Sequence, residues 1–246
     1  MNQPFKQEKE ITYFMCDRTN RLTLSMLVNI LMDISEKHSA YLGTGEEVVK
    51  GMGYNWIILH YEFQIEKIPK VNERVEIETI ATEYNKLFTY RDFIVRDKDN
   101  NDIIKVKTTF ALMDLEKRKM ARLPEEIIAP YQATFSKRIR RNTKPQPVDN
   151  ERASQKVYSV RYFDIDSNNH VNNSQYINWL LDSMDGTFLA THTVKHGIIT
   201  FDKEVNEEDT VTSSSSRRVA NNSITDHQIT VDGTIHATAS FHWYTA

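Results

Sequence analysis

In "DIDSNNHVNN", residues 164–173, two aspartates, four asparagines and a histidine precede an apolar stretch, "SQYINWLL". A turn leading into a helix uses one or two such side chains, and Asn172 and Asp166 suffice for that. His170 and the remaining asparagines are left without a structural task. In an extended segment Asp166, Asn168 and His170 alternate, so their side chains share one side. A histidine moves protons near neutral pH. A carboxamide holds a water or donates to an oxyanion. The start of the following helix adds free N–H groups and the positive end of its dipole. That set suits attack of water on an activated carbonyl. A calcium loop fits less well: Asp164-x-Asp166-x-Asn168 opens like an EF-hand, but Asn169 stands where Gly is needed and Gln175 where the closing Glu is needed. No G-x-S-x-G nucleophile elbow and no P-loop pattern occurs.

The elements that must carry these residues occur twice. Offset by 149 residues, "YFMCDRTNRLTLSMLVNILMD" (13–33) lies over "YFDIDSNNHVNNSQYINWLLD" (162–182) with eight identities in 21 positions, where unrelated windows share roughly one or two. Each copy continues into a helix. Asn172 is an N-cap with Gln175 three residues on; Tyr176, Ile177, Leu180, Leu181 and Met184 make its apolar stripe, and Gly186 ends it. In the first copy Thr23 takes the capping position and Leu27, Ile30, Leu31 and Ile34 the stripe, with Gly43 or the Gly51/Gly53 pair closing the helix.

Strands follow in both halves. "IILHYEFQI" (57–65) alternates Ile57, Leu59, Tyr61, Phe63 and Ile65 against Ile58, His60, Glu62 and Gln64. "RVEIETIAT", "LFTYRDFIVR" and "IIKVKTTFALM" continue the first series. "GIITFDKEV", "TVTSSSS", "ITDHQITV" and "TIHATASFHWY" make the second. Each half therefore reads as strand, helix and about four antiparallel strands, and two such units side by side merge their sheets. The expected organisation is α+β, with units at 1–135 and 156–246 and a polar, proline-bearing linker at 136–155.

Composition narrows the partners. With 39% apolar and 26% charged residues the chain is an ordinary soluble globular protein, and a net charge of −3 argues against a nucleic-acid binder. No apolar run reaches the roughly 18 residues of a membrane span, and "MNQPFKQEKE" lacks the pattern of a signal peptide, so the expected location is cytoplasmic. Cys16 is the single cysteine, which excludes an internal disulfide and a cysteine-based zinc cluster. Neither a metal nor a cofactor is called for.

"DIDSNNHVNNSQYINWLLDS" resembles the catalytic segment of the acyl-[acyl-carrier-protein] thioesterases of bacteria and plant plastids. "ITFDKEV" (199–205) resembles that family's following strand, where a glutamate completes the site, and "WIILHYEFQIEKIPKVNERVEIET" (56–79) resembles its amino-terminal strand pair. The likeness implies a tandem (double) hotdog, each half an antiparallel sheet wrapped around a long helix. It implies Asp166, Asn168, His170 and Glu204 as the catalytic set. Val205 stands where plant members often have a cysteine, and Cys16 lies in the other half, so direct attack of water fits better than an acyl-enzyme. The implied partner is an acyl carrier protein bearing a fatty acyl chain, and a homodimer is left open.

Several expectations follow. The Asn172–Ser174 amides would polarise the thioester oxygen, Glu204 and His170 would hold and deprotonate the water, and Asp166 would fix the loop and the Asn168 amide. In the first copy Thr19 and Arg21 replace Asn168 and His170, which implies one active site per chain and frees that unit to shape an acyl pocket. Met26, Ile30, Met32, Ile34, Trp56, Ile58 and Tyr61 are its candidate lining. Lys137, Arg138, Arg140, Arg141 and Lys144, or Arg217 and Arg218, are candidates for docking an acidic carrier, against the plainer reading of a solvated charge run. The alternatives are an acyl-CoA thioesterase of the same superfamily and an acyl-binding module without turnover.

Overall fold

Strand, helix and four long strands occur twice in the computed structural model, which describes residues 3–245. Residues 1, 2 and 246, the outermost positions of the two expected units, lie outside the described residues, as does the side chain of residue 222. The first half holds β1 (Phe5–Glu10), α1 (Leu24–Tyr41), α2 (Glu46–Gly51), β2 (Tyr54–Ile65), β3 (Arg74–Tyr84), β4 (Phe88–Arg96), β5 (Asp102–Asp114), β6 (Lys119–Ala121), α3 (Glu125–Ile128) and β7 (Thr134–Phe135). The second holds β8 (Ser154–Ser159), α4 (Asn173–Asp182), α5 (Gly186–Thr191), β9 (His192–Phe201), β10 (Thr210–Arg218), β11 (Asn221–Val231) and β12 (Thr234–Thr245).

Among the described residues one twelve-stranded sheet runs β1-β3-β4-β5-β2-β9-β12-β11-β10-β8, with β6 beside β5 and β7 beside β3. The halves join where β2 pairs antiparallel with β9, from His60 opposite Thr200 to Gln64 opposite His196. Gly197 sits at this seam, where a Cβ would come within 2.9 Å of the Phe241 ring on β12, so a side chain there would displace that ring. The fold is the α+β pair of merged units that the repeat implied, and the tandem hotdog that the resemblance implied: α1 packs on β1 and β3, α4 on β10 and β11, and the two helices touch each other.

Both helices follow from local sequence. The Thr23 hydroxyl caps α1 by accepting the Met26 N–H at 3.2 Å. Leu27, Val28, Leu31 and Ile34 are essentially fully buried beneath it, about 1.5–3 kcal/mol of apolar burial each. Gly43, at φ +76°, takes the left-handed position just past the end, which costs a glycine little. Asn172 caps α4 through the Ser174 N–H at 2.9 Å, and Tyr176, Ile177, Trp179 and Leu180 are buried. The second helix is shorter than its stripe suggested. It stops at Asp182, and Gly186 opens α5 instead of ending α4, because Asp185 accepts the N–H groups of Thr187 and Phe188 at 2.9 and 3.0 Å and starts a new helix.

Two further expectations are corrected. The alternation along β2 breaks at a bulge between Ile58 and His60, so five consecutive residues, Asn55–Leu59, border one cavity, while Tyr61, Phe63 and Ile65 go to the core. The segment between β7 and β8 forms a strap across the sheet rather than a free linker. The Arg140 N–H donates to Tyr90 Oη, Asn142 bonds Thr109, and the Gln146 and Asp149 N–H groups donate to Ser240 and Ser216, each at 3.0 Å. These partners lie in order on β4, β5, β12 and β10, so the strap crosses from one half to the other. Among the described residues no helix is long and apolar enough to cross a membrane.

Candidate active site

Residues 165–171 form a closed turn, not the extended segment expected from their alternation. Ile165 bridges Val171, the Asp166 N–H donates to the His170 carbonyl at 2.9 Å, and the Asn169 N–H donates to the Asp166 carbonyl at 3.0 Å. Asn169 takes φ +63°, a left-handed position that asparagine tolerates better than most residues. Asp166 Oδ1 accepts the backbone N–H of Asn168 at 2.8 Å. Asp166 thus shapes the turn through the Asn168 backbone rather than its side-chain amide. Tight turning, not strand alternation, is what brings Asp166, Asn168 and His170 to one cavity wall.

Glu204 arrives from the segment after β9. The Asp202 and Lys203 N–H groups both donate to the His236 carbonyl, and His236 Nδ1 lies 2.9 Å from the Glu204 carbonyl oxygen. The next residue, Val205, is fully buried. Its N–H donates to Tyr176 Oη at 2.7 Å, and its carbonyl accepts the Val171 N–H at 3.0 Å. One hydroxyl on α4 and one amide from the histidine turn therefore hold the glutamate segment. Burial, chiefly, pushes the Tyr176 hydroxyl above the ordinary tyrosine range, so it remains neutral. With Val205 in the core, Glu204 points the other way.

The side chains meet. His170 Nε2 lies 3.0 Å from Glu204 Oε2. Glu204 Oε1 carries no hydrogen bond among the described residues. Asn168 Oδ1 is buried and likewise has no hydrogen-bond partner among them. Of the Asn172–Ser174 amides expected to polarise a carbonyl, two are engaged: Asn172 N–H donates to the Asp164 carbonyl and Ser174 N–H to the Asn172 side chain. Only the Asn173 N–H is left open at the mouth of α4, because an asparagine cap and a tight preceding turn each consume a donor.

The sequence reading missed Arg118. It sits in the turn between β5 and β6, held at φ +52° with Asp114 Oδ1 accepting the Glu116 and Lys117 N–H groups at 3.1 and 2.8 Å. Its Nη2 lies 2.6 Å from Glu204 Oε2 and 3.4 Å from His170 Nε2. The first half therefore contributes a cation to a site whose other members belong to the second. An Asp-led turn was legible, but no local signal connects it with a glutamate 86 positions on.

All these groups open onto one cavity of about 720 Å³. Of the residues named as its candidate lining, Met32, Trp56 and Ile58 do border it, whereas Ile30, Ile34 and Tyr61 are plain core and Met26 packs beside it. Val28, Val49, Ala81, Phe110 and Ile128, all from the first half, complete much of the apolar wall.

The first copy repeats the backbone without the chemistry. Asp17 N–H donates to the Arg21 carbonyl at 2.9 Å and Asn20 N–H to the Asp17 carbonyl at 2.9 Å, with Asn20 at φ +62°. Leu22 N–H donates to the Pro69 carbonyl as Val171 does to Val205, so Ile68 occupies the position of Glu204. Arg21 fills the place of His170 and is fully occupied elsewhere: it donates to the Leu189 and Ala190 carbonyls at the end of α5 and to Thr193 Oγ1. Isoleucine for the carboxylate and a hydrogen-bonded arginine for the imidazole leave no acid–base pair there.

Residues 2–131 match the model of the acyl-ACP thioesterase N-terminal domain, and residues 148–245 match that of the acyl-ACP thioesterase C-terminal domain. The chain belongs to the acyl-ACP thioesterase family. Among curated relatives, the chloroplastic oleoyl-acyl carrier protein thioesterase of Coriandrum sativum is 23% identical over 238 residues, covering 89% of this chain and 63% of that protein. The chain spans about three fifths of the length of the curated relatives it matches. A solved structure from Lactobacillus plantarum, which carries the provisional name oleoyl thioesterase, is 33% identical with a TM-score of 0.94, covering 99% of this chain and 97% of that one. The 12:0-ACP thioesterase from Umbellularia californica shares the fold at 18% identity, with a TM-score of 0.87 over 99% of this chain and 98% of that one.

Proposed function

We propose that this protein hydrolyses fatty acyl-carrier-protein thioesters by direct attack of water, releasing free fatty acid and the carrier's thiol. The observation that carries the reading is the His170–Glu204 contact at 3.0 Å, set on the wall of a cavity with both polar and apolar lining beside the N-terminus of α4. Membership of the acyl-ACP thioesterase family supports it.

The water is held by Glu204 Oε1 and Asn168 Oδ1, two acceptors that leave its oxygen lone pair toward the thioester carbon. As the C–O bond forms, the water's proton passes to the Glu204–His170 pair. The oxyanion is held by the Asn173 N–H and the positive end of α4. Collapse breaks the C–S bond, and the same pair returns a proton to the departing thiolate. Asp166 keeps the turn closed and Arg118 aims Glu204. Cys16 and Val205 take no part, so no acyl-enzyme forms. In this reading the unit at 156–246 performs the chemistry and the unit at 1–135 holds the acyl chain.

Incubating the protein with medium- and long-chain acyl-carrier-proteins and assaying free thiol tests this directly. Release of fatty acid without an added cofactor is the expected result. Tight binding without release would make the chain an acyl-binding module instead, and equal turnover of acyl-CoA would remove the preference for the carrier.

A further inference from the structure

The cavity has a polar end far from His170. Arg91, on β4, borders it while being only 6% exposed. Its Nη1 donates to Thr79 Oγ1 and meets His38 Nδ1, each at 3.0 Å. The guanidinium carbon lies 5.2 Å from the centre of the Tyr131 ring. No carboxylate pairs with it among the described residues. A buried cation without a paired anion is costly, and a methionine or leucine would line a fatty pocket better. Other polar groups share this end. Ser39 and Glu36 border the cavity, and Tyr131 Oη donates to Ser39 Oγ at 2.8 Å. Glu36 Oε1 accepts the Glu46 N–H at 2.7 Å, and Glu46 Oε1 lies 3.4 Å from Ser167 Oγ, so Glu36 stands between Arg91 and the catalytic turn.

The separation is long. Arg91 pairs with Thr108 on β5, six positions before Asp114, where the Arg118 turn begins. At ~3.4 Å per residue the strand covers on the order of 20 Å between them. The cavity that begins at the His170–Glu204 pair therefore passes an apolar stretch bordered by Trp56, Ile58 and Phe110 before meeting Arg91.

We infer that Arg91 and Glu36 form a subsite for a hydroxyl group near the methyl end of the acyl chain. The inference rests on the thioesterase reading for its substrate. A hydroxyl accepts from the guanidinium and donates to the carboxyl, which matches both groups. A plain methyl end would desolvate them without replacement. A carboxylate end would face Glu36 and is disfavoured.

The test compares saturated acyl-carrier-proteins of increasing length with the same chains hydroxylated on the penultimate carbon. Wild-type protein is expected to prefer the hydroxylated member in kcat/KM by about tenfold or more at one or two lengths, the worth of one charge-assisted hydrogen bond. In R91M the ratio falls to about one or below, and R91K keeps part of it. Preference for the plain chain at every length in wild type, or an unchanged ratio in R91M, overturns the inference. Should R91M fail to fold, the wild-type ratio and R91K decide it. Calorimetric binding of the corresponding free acids to wild type and variants is run in parallel. If no thioester is hydrolysed, the catalytic reading fails while the binding ratio still decides the subsite.

Discussion

Arg118 Nη2 lies 2.6 Å from Glu204 Oε2, joining a hairpin turn of the first half to the acid of the second. The contact makes the candidate site a product of both units even though His170 and Glu204 both lie in one.

Arg118→Ala should lower kcat by about 10- to 100-fold with little change in KM, because a partly exposed glutamate loses the guanidinium contact that aims it. Arg118→Lys should recover only part, since a point charge lacks the guanidinium's directionality. Steady-state kinetics on one acyl-carrier-protein substrate separates the two constants. A loss confined to KM would move Arg118 to substrate docking.

His170→Ala and Glu204→Gln should each lower kcat by on the order of 10²–10⁴, and the double variant should lose little more than the worse single one. Residues acting as one proton-handling unit are not additive. Near-normal turnover in either single variant would take that residue out of the chemistry.

Tyr176→Phe leaves the buried Val205 N–H without its acceptor. A cost of about 1–3 kcal/mol in unfolding free energy is expected, together with a drop in kcat as the Glu204 segment loosens. Denaturant melts and kinetics on the same preparation check both. Unchanged kcat with lowered stability would show that the Val171 and His236 contacts suffice to hold the segment.

Arg21→Ala strips the Leu189 and Ala190 carbonyls of their donor. Stability should fall by about 1–3 kcal/mol while kcat/KM stays at the wild-type level, in contrast to Arg118→Ala. A large loss of activity in a folded Arg21 variant would mean that the first copy is not chemically silent.

His38, His60 and His227 are each held down at about 4, burial being the main cause. Their folded values lie below the unfolded one, so the stability they contribute is complete above about pH 6.5 and is lost as pH falls toward 4. For His227 alone, fully buried between the Leu180 carbonyl and Thr225, the loss is about 3 kcal/mol. Chemical denaturation from pH 7 to 4 should show this slope, and His227→Gln should flatten it. An unchanged slope would place the titration elsewhere.

The strap and the basic residues it carries show where composition misleads. A polar, proline-bearing stretch reads as loose, yet its backbone N–H groups find Tyr90, Ser240 and Ser216 on the sheet. Those acceptors are spread over the chain, and no local pattern announces them. Arg140 pairs with Glu83 at 2.9 Å and Arg218 with Asp226 at 2.7 Å. Lys137, Arg138, Arg141 and Lys144 remain exposed.

The duplicated unit, the caps Thr23 and Asn172, and the apolar stripes of α1 and α4 were determined by sequence alone, because each depends on neighbours within a few residues and on periods of two or 3.6. The turn role of Asp166 was legible for the same reason, though neither the closed shape of the turn nor the left-handed position of Asn169 in it was. Tertiary structure decided which α4 amide stays open, that Arg118 reaches Glu204, that a bulge at Leu59 turns five residues toward the cavity, and that Arg91 borders that cavity. These are pairings across tens of residues, fixed by strand register and the packing of two halves, and a one-dimensional pattern carries no record of them.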